Sequence, residues 1–406
     1  MTDNTTESSR IINNSTRSST LVYFAIFIGL GSCAAVLGPS LPYLAENTQS
    51  SLSEIGFLFT ARSFGYLLGS LRLGRTFDRL SGHAVLVGVL MIMAAMTSLV
   101  PMLSTLWLLT LILFILGIGE GALDIGTNLM LVWVQHDRAS PYLNALHFFF
   151  GLGAAIGPIL VAQTILHSGG IAWAFWGLAI YLIPLIIWLV RLPSPTAPGR
   201  TEDEIRVEAR VRPIILISLF FFLYVGAEAS FGGWIFTYAT TLGLGDVASA
   251  GYLTSAFWGA LTVGRLLGIP IAARISPQKI LFIDLFGCLV SMAIILVFPE
   301  SYPAVWTGAI GLGLSMASIF PTMLAFVERR MRMSGEITRW FFVGTGAGGM
   351  TLPWLSGLLF DGLGPRSTMA AILIDLLLAV LVLWLSSRIT IPERVSSKPP
   401  VPELVP

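Results

Sequence analysis

An all-α membrane protein, with twelve transmembrane helices arranged as two pseudo-symmetric six-helix bundles, is the fold class this sequence predicts. Three observations carry that reading. Of the 406 residues, 55% are hydrophobic and only 11% charged, against about 25% charged in soluble domains. The stretches 84–119 and 139–190 contain no Asp, Glu, Lys or Arg, and each exceeds the ~20 apolar residues that span a bilayer. Sequence markers also recur between the two halves at one separation, about 194 residues, as expected of a parallel internal repeat. A water-soluble enzyme, a disordered chain and a disulfide scaffold are excluded.

Taken in order, a polar Ser/Thr/Asn-rich segment (1–19) precedes the first span, 20–45. That apolar run is too long for a signal h-region and is read as retained. Spans 53–74, 82–101, 106–134, 143–166 and 170–192 complete the first bundle. A Pro-rich then mixed-charge linker, 193–212, follows and reads as a cytoplasmic connection. The second bundle comprises 213–240, 248–271, 277–298, 302–327, 337–360 and 366–388, with a tail over 389–406. Backbone polar groups have no partner in lipid, so these runs must be helical. Lys and Arg gather in the two tails and the loops after spans 2, 4, 6, 8 and 10, with Arg366 on the opposite side and Arg62 inside a span. This asymmetry predicts cytoplasmic termini. Cys33 and Cys288 both fall in spans, so no disulfide framework is expected. A net charge of +1 without a basic arm argues against a nucleic-acid partner.

Ionisable residues inside a span cost about 2.5–3.5 kcal/mol to insert and therefore face a cavity or a partner. Span 4 carries Glu120, Asp124 and Asn128 at i, i+4 and i+8, one stripe on a helix. Two carboxylates one turn apart repel in low dielectric, so one is protonated, both share a cation, or Arg62 neutralises one as a static pair. Asp124, Glu120 and Arg62 are therefore the candidate cation-coupling residues, with H⁺ or Na⁺ at Asp124. Asn144 and His147, one turn apart in span 5, offer hydrogen bonds. In span 7, Glu228 lies mid-helix, and Trp234 with Tyr238 offers an aromatic face. Asn128, Asn144, His147, Glu228 and Trp234 are the candidate substrate-binding residues. Asp284 and Asp375 read as structural.

The repeat markers are Thr60, Gly65 and Gly74 against Thr254, Gly259 and Gly268; Gly117 and Gly119 against Gly311 and Gly313; and Gly151, Gly153 and Pro158 against Gly346, Gly348 and Pro353. With Gly74-Arg75-Thr76-Phe77-Asp78-Arg79 after span 2, the chain resembles major facilitator superfamily transporters, whose corresponding cytoplasmic loop stabilises a gate. Gly74, Asp78 and Arg79 would then act in that loop, although Ser81, Gly82 and His83 depart from the usual ending. The segments around Asp124–Asn128, His147 and Glu228–Trp234 resemble the sodium-dependent glucose transporter-like group, related to the fucose–proton symporters. The latter carry a span-4 carboxylate followed four residues later by Asn, which Asp124 and Asn128 match. They also use an acidic residue in span 1, where this chain has none before Glu46.

The resemblance implies a cation-coupled (H⁺ or Na⁺) monosaccharide symporter working by alternating access. No cofactor is expected, the protein is expected to be monomeric, and a bacterial inner membrane is the expected location. A proton-coupled drug or metabolite exporter is the alternative, since Gly153 and Gly157-Pro158 resemble part of the antiporter signature but Val161-Ala162 replace its Gly-Gly. A substrate sensor is a weaker reading. An enzyme is disfavoured by the lack of any nucleophile–base set.

Overall fold

The computed structural model describes residues 3–77, 80–196, 211–331 and 335–388, and among them every regular element is helical. The helices are α1 (Asp3–Thr48), α2 (Leu52–Phe77), α3 (Gly82–Leu99), α4 (Leu106–Gln135), α5 (Ala139–Ser168) and α6 (Ala172–Val190), then α7 (Val211–Thr241), α8 (Val247–Ala272), α9 (Pro277–Val297), α10 (Tyr302–Met316), α11 (Ile319–Glu328), α12 (Gly335–Leu363) and α13 (Pro365–Arg388). Among the described residues, nine segments are long and apolar enough to cross a membrane, one of them covering both α4 and α5. Together with the fold, they make this an integral, multi-pass membrane protein. Exposed apolar side chains such as Ile180 on α6, Phe286 on α9 and Leu377 on α13 lie where acyl chains would cover them. Both cysteines are free and buried.

The tenth span, expected as one helix, is broken. Ala317 and Ser318 separate α10 from α11. The cause is local: Pro321 has no N–H to offer the Ala317 carbonyl, and its ring crowds that oxygen. The polar segment before residue 20 does not form a separate element, because α1 is already helical from Asp3.

Glycine sets the tightest helix pairs, and it does so twice over. A Cβ on Gly153 of α5 would overlap the Ile28 carbonyl of α1, and one on Gly348 of α12 would overlap the Phe222 carbonyl of α7. These are corresponding pairs at the repeat separation. Close approach of this kind replaces the hydrophobic driving force that lipid does not supply. The other pairings follow the same plan, with α2 against α4, α8 against α10, α3 against α6, and α9 against α13.

The halves meet through α2 on α12, α5 on α8 and α1 on α7. Their contacts gather at the end of the molecule opposite the chain termini. There the backbone N–H of Ser53 donates to Asp361 Oδ2 (3.0 Å), so a carboxylate of the second half caps a helix of the first. Deeper in, Thr60 Oγ1 donates to the Met350 carbonyl (2.7 Å) and Ser63 Oγ to that of Gly349 (3.1 Å). The Gly349 carbonyl is free to accept because the residue four places on is Pro353, which has no N–H.

Candidate functional site

Helices α2 and α4 run parallel in constant register, and this register assembles the first polar group. Arg62 and Tyr66 stand one turn apart on α2, Glu120 and Asp124 one turn apart on α4, and each residue meets its counterpart. Arg62 grips Glu120 with two hydrogen bonds, Nε to Oε2 at 2.8 Å and Nη2 to Oε1 at 2.7 Å. The same guanidinium donates to the carbonyls of Ala34 (3.0 Å) and Cys33 (3.3 Å) on α1. The Arg62 and Glu120 side chains are 13% and 6% exposed, so a charge-paired fork ties three helices together in low dielectric. One turn on, Tyr66 donates its hydroxyl to Asp124. Asn128 Nδ2 donates to Asp124 Oδ1 and to the Asp124 carbonyl, both at 2.9 Å.

The two span-4 carboxylates are therefore separated in role. Of the three arrangements the sequence left open, the structure has Glu120 neutralised by Arg62, while Asp124 is held by neutral donors, with no ion-pair partner among the described residues. Asn128 spends its Nδ2 protons on Asp124. Gly117 and Gly121 make this register possible, because a Cβ on either would overlap an α2 carbonyl, that of Arg62 or of Tyr66. Among the described residues no group of three or more His, Cys, Asp and Glu side chains could hold a metal ion.

A second polar group lies in the other half. Tyr224 and Glu228, one turn apart on α7, are hydrogen-bonded to each other. The Tyr224 hydroxyl also reaches the Met316 carbonyl at 3.0 Å, where α10 ends. Just past the break, Ser318 donates to Asp284 of α9. Arg265 of α8 acts electrostatically on Glu228 and on His147 of α5, and its Nε is buried without a hydrogen-bond partner. His147 stands edge-on to Phe27, with ring centroids 5.8 Å apart, and both it and Asn144 are exposed.

Trp234, expected to stack on a substrate ring, is 0% exposed in this conformation. It packs against Phe59 of α2 and Phe360 of α12 and donates Nε1–H to the Pro353 carbonyl at 2.8 Å. In this conformation it seals the two halves and offers no face to a ligand. Tyr238 is equally buried. Asp78 and Arg79 of the loop after span 2 lie outside the described residues, and Gly74 is helical within α2.

Three contributors escaped the sequence reading. Arg265, counted with the loop after span 8 although it falls within the predicted span 248–271, lies inside α8. Tyr66 was legible as the residue one turn after Arg62, matching Asp124 one turn after Glu120. Tyr224 carried a similar signal relative to Glu228, but its second partner, a carbonyl freed by a helix break, has no signature of its own.

A profile of the Major Facilitator Superfamily matches residues 20–349. The chain belongs to the major facilitator superfamily. Its relatives in this superfamily include "Sodium-dependent glucose transporter 1" of Xenopus laevis, 33% identical over 84% of this chain and 77% of the relative. The Homo sapiens protein of that name is 29% identical over 82% and 72%. "Major facilitator superfamily domain-containing protein 4A" of Mus musculus is 26% identical over 86% and 87%. Among solved structures, a point mutant of the nucleoside transporter NupG superposes with a TM-score of 0.74 at 15% identity, over 92% of this chain and 99% of that one. At that identity the likeness concerns the fold alone. Superfamily membership makes the protein a transporter, not an enzyme.

Proposed function

We propose that this major facilitator transporter moves a monosaccharide together with H⁺ or Na⁺ by alternating access. The observation that carries the reading is Asp124: a carboxylate inside the helix bundle, held by Tyr66 and Asn128, with no ion-pair partner among the described residues because Arg62 is committed to Glu120. A membrane-embedded carboxylate without a counter-charge is costly in its ionised form and gains by taking up a cation. Asn144 and His147, exposed on α5, supply hydrogen bonds suited to a hydroxyl-rich neutral solute. Relatives that carry sodium-dependent glucose transport in their names support this substrate class.

Alternating access here is rocking of two halves about a site between them. The described contacts between the halves concentrate at the end opposite the termini, which supports reading this conformation as open toward the termini. By the Lys/Arg asymmetry that side is cytoplasmic, and a bacterial inner membrane fits the topology. Arg62 and Glu120 act as a positioning pair that fixes α2 against α4 and α1, so that Tyr66 meets Asp124.

The test is uptake of labelled hexoses and 6-deoxyhexoses into proteoliposomes of the purified protein, with an imposed Na⁺ or pH gradient. Gradient-driven accumulation of one sugar class, lost in Asp124→Asn while sugar binding persists, is the expected result. Absence of uptake for every sugar by folded protein under both gradients would overturn the reading.

A further inference from the structure

We infer that Glu228, Tyr224 and the Met316 carbonyl form a second proton-binding site, distinct from Asp124, at the break in the tenth span. A tyrosine hydroxyl has one proton to give and oxygen lone pairs to receive with; a backbone carbonyl can only accept. The Tyr224 hydroxyl, 1% exposed as a residue, touches both the Met316 carbonyl and the Glu228 carboxyl. If Glu228 is ionised, both neighbours are acceptors and one proton must serve two of them. If Glu228 is protonated, its O–H donates to Tyr224 Oη, the Tyr224 O–H donates to Met316, and every group is satisfied. A buried acceptor left without a donor costs about 1–3 kcal/mol, so this conformation favours a protonated Glu228.

Met316 is the last residue of α10. Its carbonyl is one of the last four of that helix, which have no donor within it, and the Tyr224 hydroxyl reaches it at 3.0 Å. Protonation of Glu228 therefore supports the broken geometry of the tenth span. Loss of the proton draws the Tyr224 hydrogen to the carboxylate and releases the Met316 carbonyl. A proton event is thereby linked to a hinge between α10 and α11.

Arg265 completes the site. Its charge reaches Glu228 from α8, and its unpartnered Nε is available to a carboxylate that has lost its proton. The other groups around the site are Cys288 of α9, close enough to sense Glu228, and Asp284, held by Ser318. His147 on α5 faces the same arginine. Among the described residues, Arg265 is the charged side chain that acts on this carboxyl, and the buried Asp375 lies on α13, which packs against α7. Glu228 is thus a proton carrier rather than a sugar ligand, an assignment that rests on the transport reading only for its use in coupling.

The site itself can be tested without transport. Infrared difference spectra of the purified protein in lipid, recorded between acid and alkaline pH, should contain a protonated-carboxyl band that Glu228→Gln removes and Asp124→Asn leaves. Gln can donate to Tyr224 Oη as the neutral acid does, so this variant should fold. Arg265→Gln removes the cation that favours the ionised form and should move the band's loss to higher pH. In proteoliposomes, Glu228→Gln should lose acid-driven accumulation. A band unchanged in Glu228→Gln, or unshifted in Arg265→Gln should the first variant misfold, would overturn the inference. If the band behaves as expected while the wild type carries no sugar, the monosaccharide reading fails and the proton site stands.

Discussion

Replacing Arg62 by Leu should be among the most damaging single side-chain changes available in this molecule. The substitution removes four hydrogen bonds to Glu120, Cys33 and Ala34 and leaves the Glu120 carboxylate, 6% exposed, without a counter-charge. Breaking a buried pair by removing one partner costs about 3–5 kcal/mol, whereas replacing both partners by apolar residues is often neutral. Arg62→Leu and Glu120→Leu should therefore each lower the thermal midpoint markedly, and the double variant should recover most of the loss. The contrast is Arg366–Glu300, which has the same 2.7 Å separation but side chains 56% and 79% exposed. Its removal should cost no more than about 1 kcal/mol, because water screens the charges. The protein carries its own reporter. Cys33 and Cys288 are buried, so a thiol-reactive fluorophore responds only as the bundle unfolds. If the two single variants lost under about 1 kcal/mol each and their effects simply added, the pair would not be the clamp described here.

Gly153→Val should fail to yield stable protein, since its side chain meets the Ile28 carbonyl; overpacking costs about 1–3 kcal/mol or more. Gly259→Ala should be tolerated or mildly stabilising by thermal melt, because the new Cβ meets only Ala155 Cβ at 3.9 Å. Trp234→Ala should cost the conformation closed at the Ser53–Asp361 end about 3–5 kcal/mol. Thiol labelling of Thr60→Cys, in a background lacking Cys33 and Cys288, should then become faster. Burial works against ionisation of Asp361, but hydrogen bonds from Ser53, Ser51 and Leu52 outweigh it and hold its carboxyl below the usual carboxylate range. The stabilisation it gives is therefore complete above about pH 4 and disappears as pH falls through its lowered value. Thermal midpoints of wild type and Asp361→Asn should differ by a constant amount near neutrality and converge in strong acid.

The fold was legible in the sequence because lipid leaves the backbone one solution. Long apolar runs must be helices, and their boundaries follow the polar and Gly/Pro-rich stretches between them. The repeat was legible too, since Gly153 and Gly348 are required wherever two backbones touch. The exception in the helix count, the break at Ala317–Ser318, had a sequence cause in Pro321. Yet prolines at 158, 184, 270 and 353 sit inside unbroken helices, so proline alone does not announce a break.

By itself the sequence determined which residues are too polar to face lipid: Arg62, Glu120, Asp124, His147 and Glu228 were all visible as expensive groups inside spans. Only the tertiary structure decided what each does, because partnership depends on the register between helices far apart in the chain. One turn on α4 separates a carboxylate clamped by arginine from one held by a tyrosine and an amide. Trp234 carries the same lesson in reverse. Its place on α7 marks it as important, but whether its ring meets a ligand or seals two halves depends on how α2 and α12 pack against it.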